Sequence, residues 1–357
     1  TELGLWSEGT QLRGANLWQR RVYPELDGLD FLGPGPFGPP IAMEDFVALA
    51  AHGANWVQLS VPGLFTEQEP YQPDWAAVDN LDTLIAMADA AGLFVTITFR
   101  TGPGRSEFSI LRDEAGVWFD QSYLEERVWT DPQARDAWAA MWEFTARRYR
   151  EQKAVIGYDL MCEPNASDIV QEWDPHAFQA RYAGSGYDWS SWYPKLALAI
   201  RRVDQETPIL IQPDGYASPE WASILAPPPV SACVLAVHPY DPHAYTHQSK
   251  TEAWFRKRVY PGRFDADDDG KPEQVDALWI ASMLGQAQAA AQAMGIPVCA
   301  NEYGVMRWQP GAAAYLSDML ECFEDYGWNH ALWEWKPAYK GYDEVNAFDF
   351  TRAAELD

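Results

Sequence analysis

The chain predicts a (β/α)8 TIM barrel with long loops after its strands, as a single domain over residues 1–357. Eight short aliphatic runs alternate with longer amphipathic ones, the order that parallel strands joined by crossover helices require. Eight such units are the number that closes on itself. The runs are apolar almost throughout, as strands covered on both faces must be.

Taken in order, the first strand is expected over residues 11–17, followed by a Gly/Pro-rich loop at 31–40 and a helix at 43–52. Strands at 55–61 and 93–99 flank a helix at 78–91, and a helix at 132–150 leads to a fourth strand at 155–162. A helix at 192–204, a fifth strand at 208–212 and a short helix at 219–225 precede the sixth strand at 233–238. Helices at 275–294 and 312–326 enclose a seventh strand at 297–302, and the eighth is expected at 330–335. Gly53, Gly92, Gly295 and Gly327 stand where helices should close. Long insertions follow strands one, three, four and six, on the side where barrels build their sites.

Charge narrows the partners. At −26, with a pI near 4.5, the chain would repel a phosphate backbone, so nucleic acid is not expected and a neutral substrate is. No run reaches the ~20 apolar residues of a membrane helix, so no membrane partner is expected. The opening residues lack the basic and apolar parts of a leader, although a mature form freed of its leader would read the same. Cys162, Cys233, Cys299 and Cys322 show no paired spacing; they read as buried thiols, which fits a reducing compartment and leans towards the cytoplasm. Eighteen tryptophans supply flat aromatic faces of the kind that stack on sugars, beyond their use as core filler.

Two carboxylates carry the chemistry. Glu163 follows the apolar run of the fourth strand and Glu302 ends that of the seventh. A glutamate placed there costs desolvation energy unless function or a partner compensates. At two strand ends of one barrel mouth they supply the pair that glycoside hydrolysis needs, a proton donor and a nucleophile ~5–5.5 Å apart in retaining enzymes. Structural ion pairs are the plainer alternative for each alone. No Gly-x-Ser-x-Gly elbow and no phosphate-binding Gly-x-x-x-x-Gly-Lys loop occurs.

With Leu-Arg-Gly-Ala-Asn at residues 12–16, Cys-Glu-Pro-Asn at 162–165, His238-Pro-Tyr240, Asn-Glu-Tyr-Gly at 301–304 and Leu-Trp-Glu-Trp at 332–335, the chain resembles family 5 glycoside hydrolases over most of its length. The resemblance implies a cellulase-like, clan A enzyme with Glu163 as acid/base and Glu302 as nucleophile. It implies that Tyr240 hydrogen-bonds near the nucleophile, that His238 holds the site, and that Trp333 or Trp335 floors the first sugar subsite. No cofactor is implied for catalysis. Three positions depart from the family: Cys162 stands where an asparagine is usual, Gln58 where the second strand usually carries arginine, and Arg100 where the third usually ends in histidine. Arg100 is a candidate to supply the missing cation, Trp18 to serve as a sugar platform, and Asn165 to face the mouth.

Asp265, Asp267, Asp269, Gly270 and Asp276 reproduce positions one, three, five, six and twelve of a calcium loop, a structural ion site. Aspartate at twelve and Pro272 at eight fit an acidic surface loop equally well. Two functions follow. One is a retaining β-glycosidase acting on neutral β-linked hexosides of the glucan, mannan or galactoside kind, with an oligosaccharide or glycoside as its partner. The other, favoured by the three departures, is an impaired barrel that binds carbohydrate without turning it over.

Overall fold

The computed structural model describes residues 2–249, 255–335, 347–349 and 351. Eight parallel strands close into a barrel in chain order: β1 (Arg13–Trp18), β2 (Trp56–Val61), β3 (Phe94–Phe99), β4 (Val155–Asp159), β5 (Ile209–Ile211), β6 (Cys233–Ala236), β7 (Val298–Tyr303) and β8 (Asn329–Leu332). The ring closes where β1 pairs with both β2 and β8. Outside it lie α1 (Met43–Ala51), α2 (Trp75–Ala90), α3 (Pro132–Tyr149), α4 (Trp189–Arg201), α5 (Ala277–Met294) and α6 (Ala312–Tyr326). The expected short helix between β5 and β6 is a 3-10 segment, Pro219–Ile224. Among the described residues no helix is long and apolar enough to cross a membrane.

Local chemistry sets these boundaries. Asp74, Asp131, Asp188 and Asp276 accept the first free N–H groups of α2, α3, α4 and α5. Gly295 and Gly327 close α5 and α6 at φ 70° and 72°, a left-handed backbone that residues with a side chain rarely adopt. Leu, Ile, Val and Ala from α2, α4 and α5 pack with the outward faces of the strands into the main core.

The interior is layered. Gly14, Asn16 and Trp18 of β1 stand in register with Trp56, Gln58 and Ser60 of β2. The lowest layer is apolar: Trp56, Ile156, Leu210, Val234 and Ala331 pack beneath Trp6, whose indole N–H donates to the Ile156 carbonyl at 3.2 Å. A Cβ on Gly14 would come within 1.8 Å of the Trp56 carbonyl oxygen, so the close approach of the β2 backbone requires glycine here. The layer above is polar. Asn16, Gln58, Asp159, Gln212 and Asn301 are fully buried there and bonded to one another or to strand carbonyls. The third layer opens onto the cleft.

The long insertions carry structure of their own. The β1–α1 loop holds a two-stranded turn, Arg20–Arg21 with Phe37–Gly38, and the β6–α5 loop another, Gly262–Phe264 with Glu273–Val275. The β4–α4 loop holds two short helices, Ala166–Val170 and Pro175–Tyr182.

Candidate active site

The loops wall a cleft of about 1590 Å³ whose floor carries Glu163, His238, Tyr240, Glu302, Trp18, Arg100 and Trp333. Glu302 lies within β7 and is almost wholly buried. Glu163 lies beyond the strand end, because β4 stops at Asp159 rather than at Cys162. Its backbone takes the left-handed conformation, φ 49°. That geometry costs a non-glycine residue roughly 1–2 kcal/mol, so it needs fixing from both sides. Gln212 Oε1 accepts the Glu163 N–H at 2.7 Å, and Arg105 donates to the carbonyls of Cys162 at 2.6 Å and Glu163 at 2.7 Å.

His238 Nδ1 stands 2.9 Å from Glu163 Oε2 and 3.4 Å from Glu302 Oε2. Tyr240 donates its hydroxyl to Glu302 Oε1 at 2.7 Å. Oε2 of Glu302 is thus the oxygen without a hydrogen-bond donor, and it faces the same imidazole as the other carboxylate. One oxygen of each glutamate and one His238 nitrogen lie within 4.8 Å of each other. Burial raises the Glu302 pKa and the Glu163 charge adds to that, while His238, Arg100 and the Tyr240 bond pull it back. Burial alone would lower the His238 pKa, but the Glu302 and Glu163 carboxylates outweigh it and hold it above the usual value.

Arg100 is locked rather than free. Its Nε donates to both oxygens of Glu107 at 2.8 and 3.0 Å, and its Nη1 to Ser60 Oγ at 3.1 Å and Cys162 Sγ at 3.7 Å. Glu107 also accepts the Trp18 indole N–H at 3.2 Å. The guanidinium carbon sits 5.7 Å from the Trp18 ring centre and 5.6 Å from that of Trp333, so both indoles are set by one cation. Burial pushes the Cys162 thiol well above its ordinary pKa against the pull of Arg100, which keeps it neutral.

Three expected site residues lie elsewhere. Trp335 is buried against α1, donating to the Asp45 carbonyl at 2.8 Å; β8 ends at Leu332, so the alternation that would align 333 with 335 is already lost. Asn165 is buried behind Glu163, where it donates to the Ser109 carbonyl at 2.8 Å and does not line the cleft. Asp265, Asp267 and Asp269 do bring carboxylate oxygens within 4.8 Å of one another at the cleft rim. Asp276 does not join them, because it caps α5 through Leu278 and Trp279 N–H. The turn's own amides of Asp269 and Gly270 bond to Asp265, which helps hold the turn.

Sequence reasoning missed Arg105, Glu107, Gln212 and Asp159. For Asp159 the signal was present: a carboxylate inside the apolar run of strand four, as unusual there as Glu163. Burial pushes its pKa up to about 7, against the Gln212 bond and the His238 charge. Arg105 and Glu107 sit in a loop without periodicity, so only the fold brings them to the site.

Fold and site together define a class, the (β/α)8 glycoside hydrolases. The family model for cellulase (glycosyl hydrolase family 5) matches residues 11–339, and the chain belongs to that family. Over 154 residues it is 23% identical to endoglucanase C of Acetivibrio thermocellus, covering 42% of this chain and 40% of that protein. Over 125 residues it is 30% identical to an endoglycoceramidase of Cyanea nozakii, covering 33% of this chain and 23% of that one. The chain thus aligns with well under half the length of these relatives. The crystal structure of endoglucanase Cel5A from Thermotoga maritima superposes with a TM-score of 0.66 at 17% identity, over 94% of this chain and 93% of that one. A second endoglucanase structure gives 0.65 at 16% identity over 99% and 98%. These likenesses show the fold.

The ionisation of Asp159 predicts a pH-dependent effect. A carboxyl whose folded pKa is about 7, against 3.8 unperturbed, favours folding less as pH rises between those values. Asp159→Asn removes that dependence. Its melting temperature is expected to exceed that of wild type by several degrees at about pH 8, with the gap closing by about pH 4. Calorimetry at the two pH values measures it; a gap that does not change with pH contradicts a raised Asp159.

Proposed function

We propose that the chain is a retaining β-glycosidase acting on neutral β-linked hexosides of the glucan, mannan or galactoside type. The observation that carries the reading is the pair of glutamates sharing His238 Nδ1, with oxygens no more than 4.8 Å apart. Oxygens that close, both turned to one imidazole nitrogen, favour the ~5–5.5 Å carboxyl separation of direct attack over the ~6.5–9.5 Å that an interposed water needs. Glu302 Oε2, without a donor, attacks the anomeric carbon, while Tyr240 on Oε1 holds the carboxylate and steadies its charge. Glu163 protonates the departing oxygen, then takes a proton from the water that releases the sugar. Trp333 and Trp18 offer the faces on which the sugar stacks. Binding without turnover was suggested by Cys162, Gln58 and Arg100; against it, both glutamates converge and Arg100 supplies a buried positive charge that favours an ionised Glu302. Family 5 enzymes need no cofactor for catalysis.

Glu302→Gln should lower turnover by several orders of magnitude with the fold intact. In Glu163→Ala the first step, read as kcat/KM, should survive far better on aryl glycosides with activated leaving groups than on natural glycosides, because the former need little protonation. More than a few per cent of wild-type turnover in Glu302→Gln, or equal losses in Glu163→Ala on both substrate classes, would sink the assignment. Cello-, manno- and galacto-configured aryl glycosides sort the sugar, and a lipid-linked β-glycoside assayed beside a soluble glucan sorts the leaving group.

Stereochemistry tests the same reading independently. Proton NMR of the sugar as first released should show the β-anomer, and added methanol should yield a methyl β-glycoside. Initial α-anomer would assign the attack to water.

The cleft-rim aspartates extend the proposal to a structural calcium held by Asp265, Asp267 and Asp269 without Asp276. A chelator should then lower the melting temperature and added calcium restore it by mass action. A melting temperature that neither moves removes the ion.

A further inference from the structure

Asp159 lies four residues before Glu163, fully buried in the barrel, and takes no part in the bond-making proposed above. Its Oδ2 accepts two hydrogen bonds, from Gln212 Nε2 at 2.5 Å and from Asn301 Nδ2 at 2.8 Å. The other end of the Gln212 amide accepts the Glu163 N–H at 2.7 Å. Asn301 immediately precedes Glu302, and Gln58 fixes it further: its amide is 3.0 Å from Asn301 Nδ2 and 3.1 Å from the Asn301 carbonyl. A single oxygen therefore joins the peptide of one active glutamate to the strand position beside the other.

We infer that Asp159 is a positioning residue that sets the separation of Glu163 and Glu302 through Gln212 on one side and Asn301 on the other. The inference rests on the acid/base and nucleophile assignments above. Its physical core is orientation. Glutamine and asparagine amides can turn end for end, and Oδ2, which only accepts, selects one orientation of each. With Nε2 of Gln212 drawn to Asp159, Oε1 is presented to the Glu163 N–H; reversed, two donors would face each other. Glu163 depends on that acceptor because its left-handed backbone is not one it would hold unaided. Thr98 from β3 and His238 beyond β6 also act on Asp159, while both hydrogen bonds fall on Oδ2, so protonation of Oδ1 leaves Oδ2 free to accept.

Gln212→Met, close in size but without polar ends, separates the arms. It cuts the link to Glu163 and leaves Asn301 in place. A misplacement near 1 Å costs ~10²-fold in rate. The kcat of Gln212→Met on a poor-leaving-group glycoside should fall ~10–100-fold with KM little changed, while kcat/KM on a dinitrophenyl glycoside, which reports the first step alone, should lose less than about threefold. Asp159→Ala should lose kcat on both substrates, and Asp159→Asn, whose amide oxygen can accept both bonds, should recover most of it. If Asp159→Ala fails to fold, Gln212→Met still decides. Losses in Gln212→Met that are equal on the two substrates, confined to KM, or absent overturn the inference, as does Asp159→Asn as damaged as Asp159→Ala. If Glu163→Ala or Glu302→Gln retains turnover, the underlying assignment falls instead, so the two failures are distinguishable.

Discussion

The polar layer inside the barrel is the constraint on which the rest of the structure depends. Eight parallel strands enclose a space filled by side chains, with no room for bulk water, so every polar group placed there must find its partner among the others. Asn16, Gln58, Gln212 and Asn301 give each amide donor an acceptor on a neighbouring or facing strand, two of them converging on Asp159 Oδ2, while Oδ1 of Asn16, Asp159 and Asn301 receives no donor. An apolar layer would have been easier to pack. The polar one specifies direction: amides and a carboxylate fix how β4, β5 and β7 stand relative to one another. The glutamates extend from those strands, so the precision of the site is inherited from the layer below it.

Electrostatics at the cleft floor runs opposite to the molecule as a whole. A chain with a net charge of −26 concentrates Arg100, Arg105 and His238, all buried, around the two cleft glutamates. Each cation has a task that fixes it. Arg105 donates to two carbonyls at the left-handed turn, and His238 lies between the glutamates. Arg100 pairs with Glu107 at less than a tenth exposure on both sides. Such a pair adds little net stability, since desolvation cancels most of the attraction, but breaking it by removing one partner costs ~3–5 kcal/mol. Its value here is placement: the pair holds two indoles and keeps a positive charge near Glu302.

The barrel was legible because its signals are repeated. Eight apolar runs, capped helices and closing glycines each say the same thing, and errors at the boundaries do not alter the count. The two glutamates were legible because a carboxylate beside an apolar strand is costly. Where the sequence misled, a local rule had stopped applying. The resemblance offered Trp335 beside Trp333 on an eighth strand running to 335, but β8 ends at Leu332. Asp276 matched a calcium spacing, but a helix begins at Ala277 and its first N–H groups take that carboxylate. Arg105 and Glu107 were invisible for a different reason. Their partners lie in other segments, on strands and loops that only closure of the ring brings near.

The positions that depart from the family are coupled through the same layer. Gln58 must accept from Asn301 Nδ2 and Thr96 Oγ1 as well as donate to the Asn301 carbonyl. An arginine at position 58 could donate but not accept, and would leave two donors facing it in a space closed to water. With a glutamine serving the layer, the positive charge near Glu302 has to come from another strand, one level higher. Arg100 follows β3 at that level, where it can reach Ser60 at the end of β2 and Cys162 next to Glu163. A thiol at 162 suits that neighbour, since it stays neutral beside the guanidinium and asks for no strong donor of its own. Gln58, Arg100 and Cys162 are best understood as one rearrangement of a single charge rather than three separate losses.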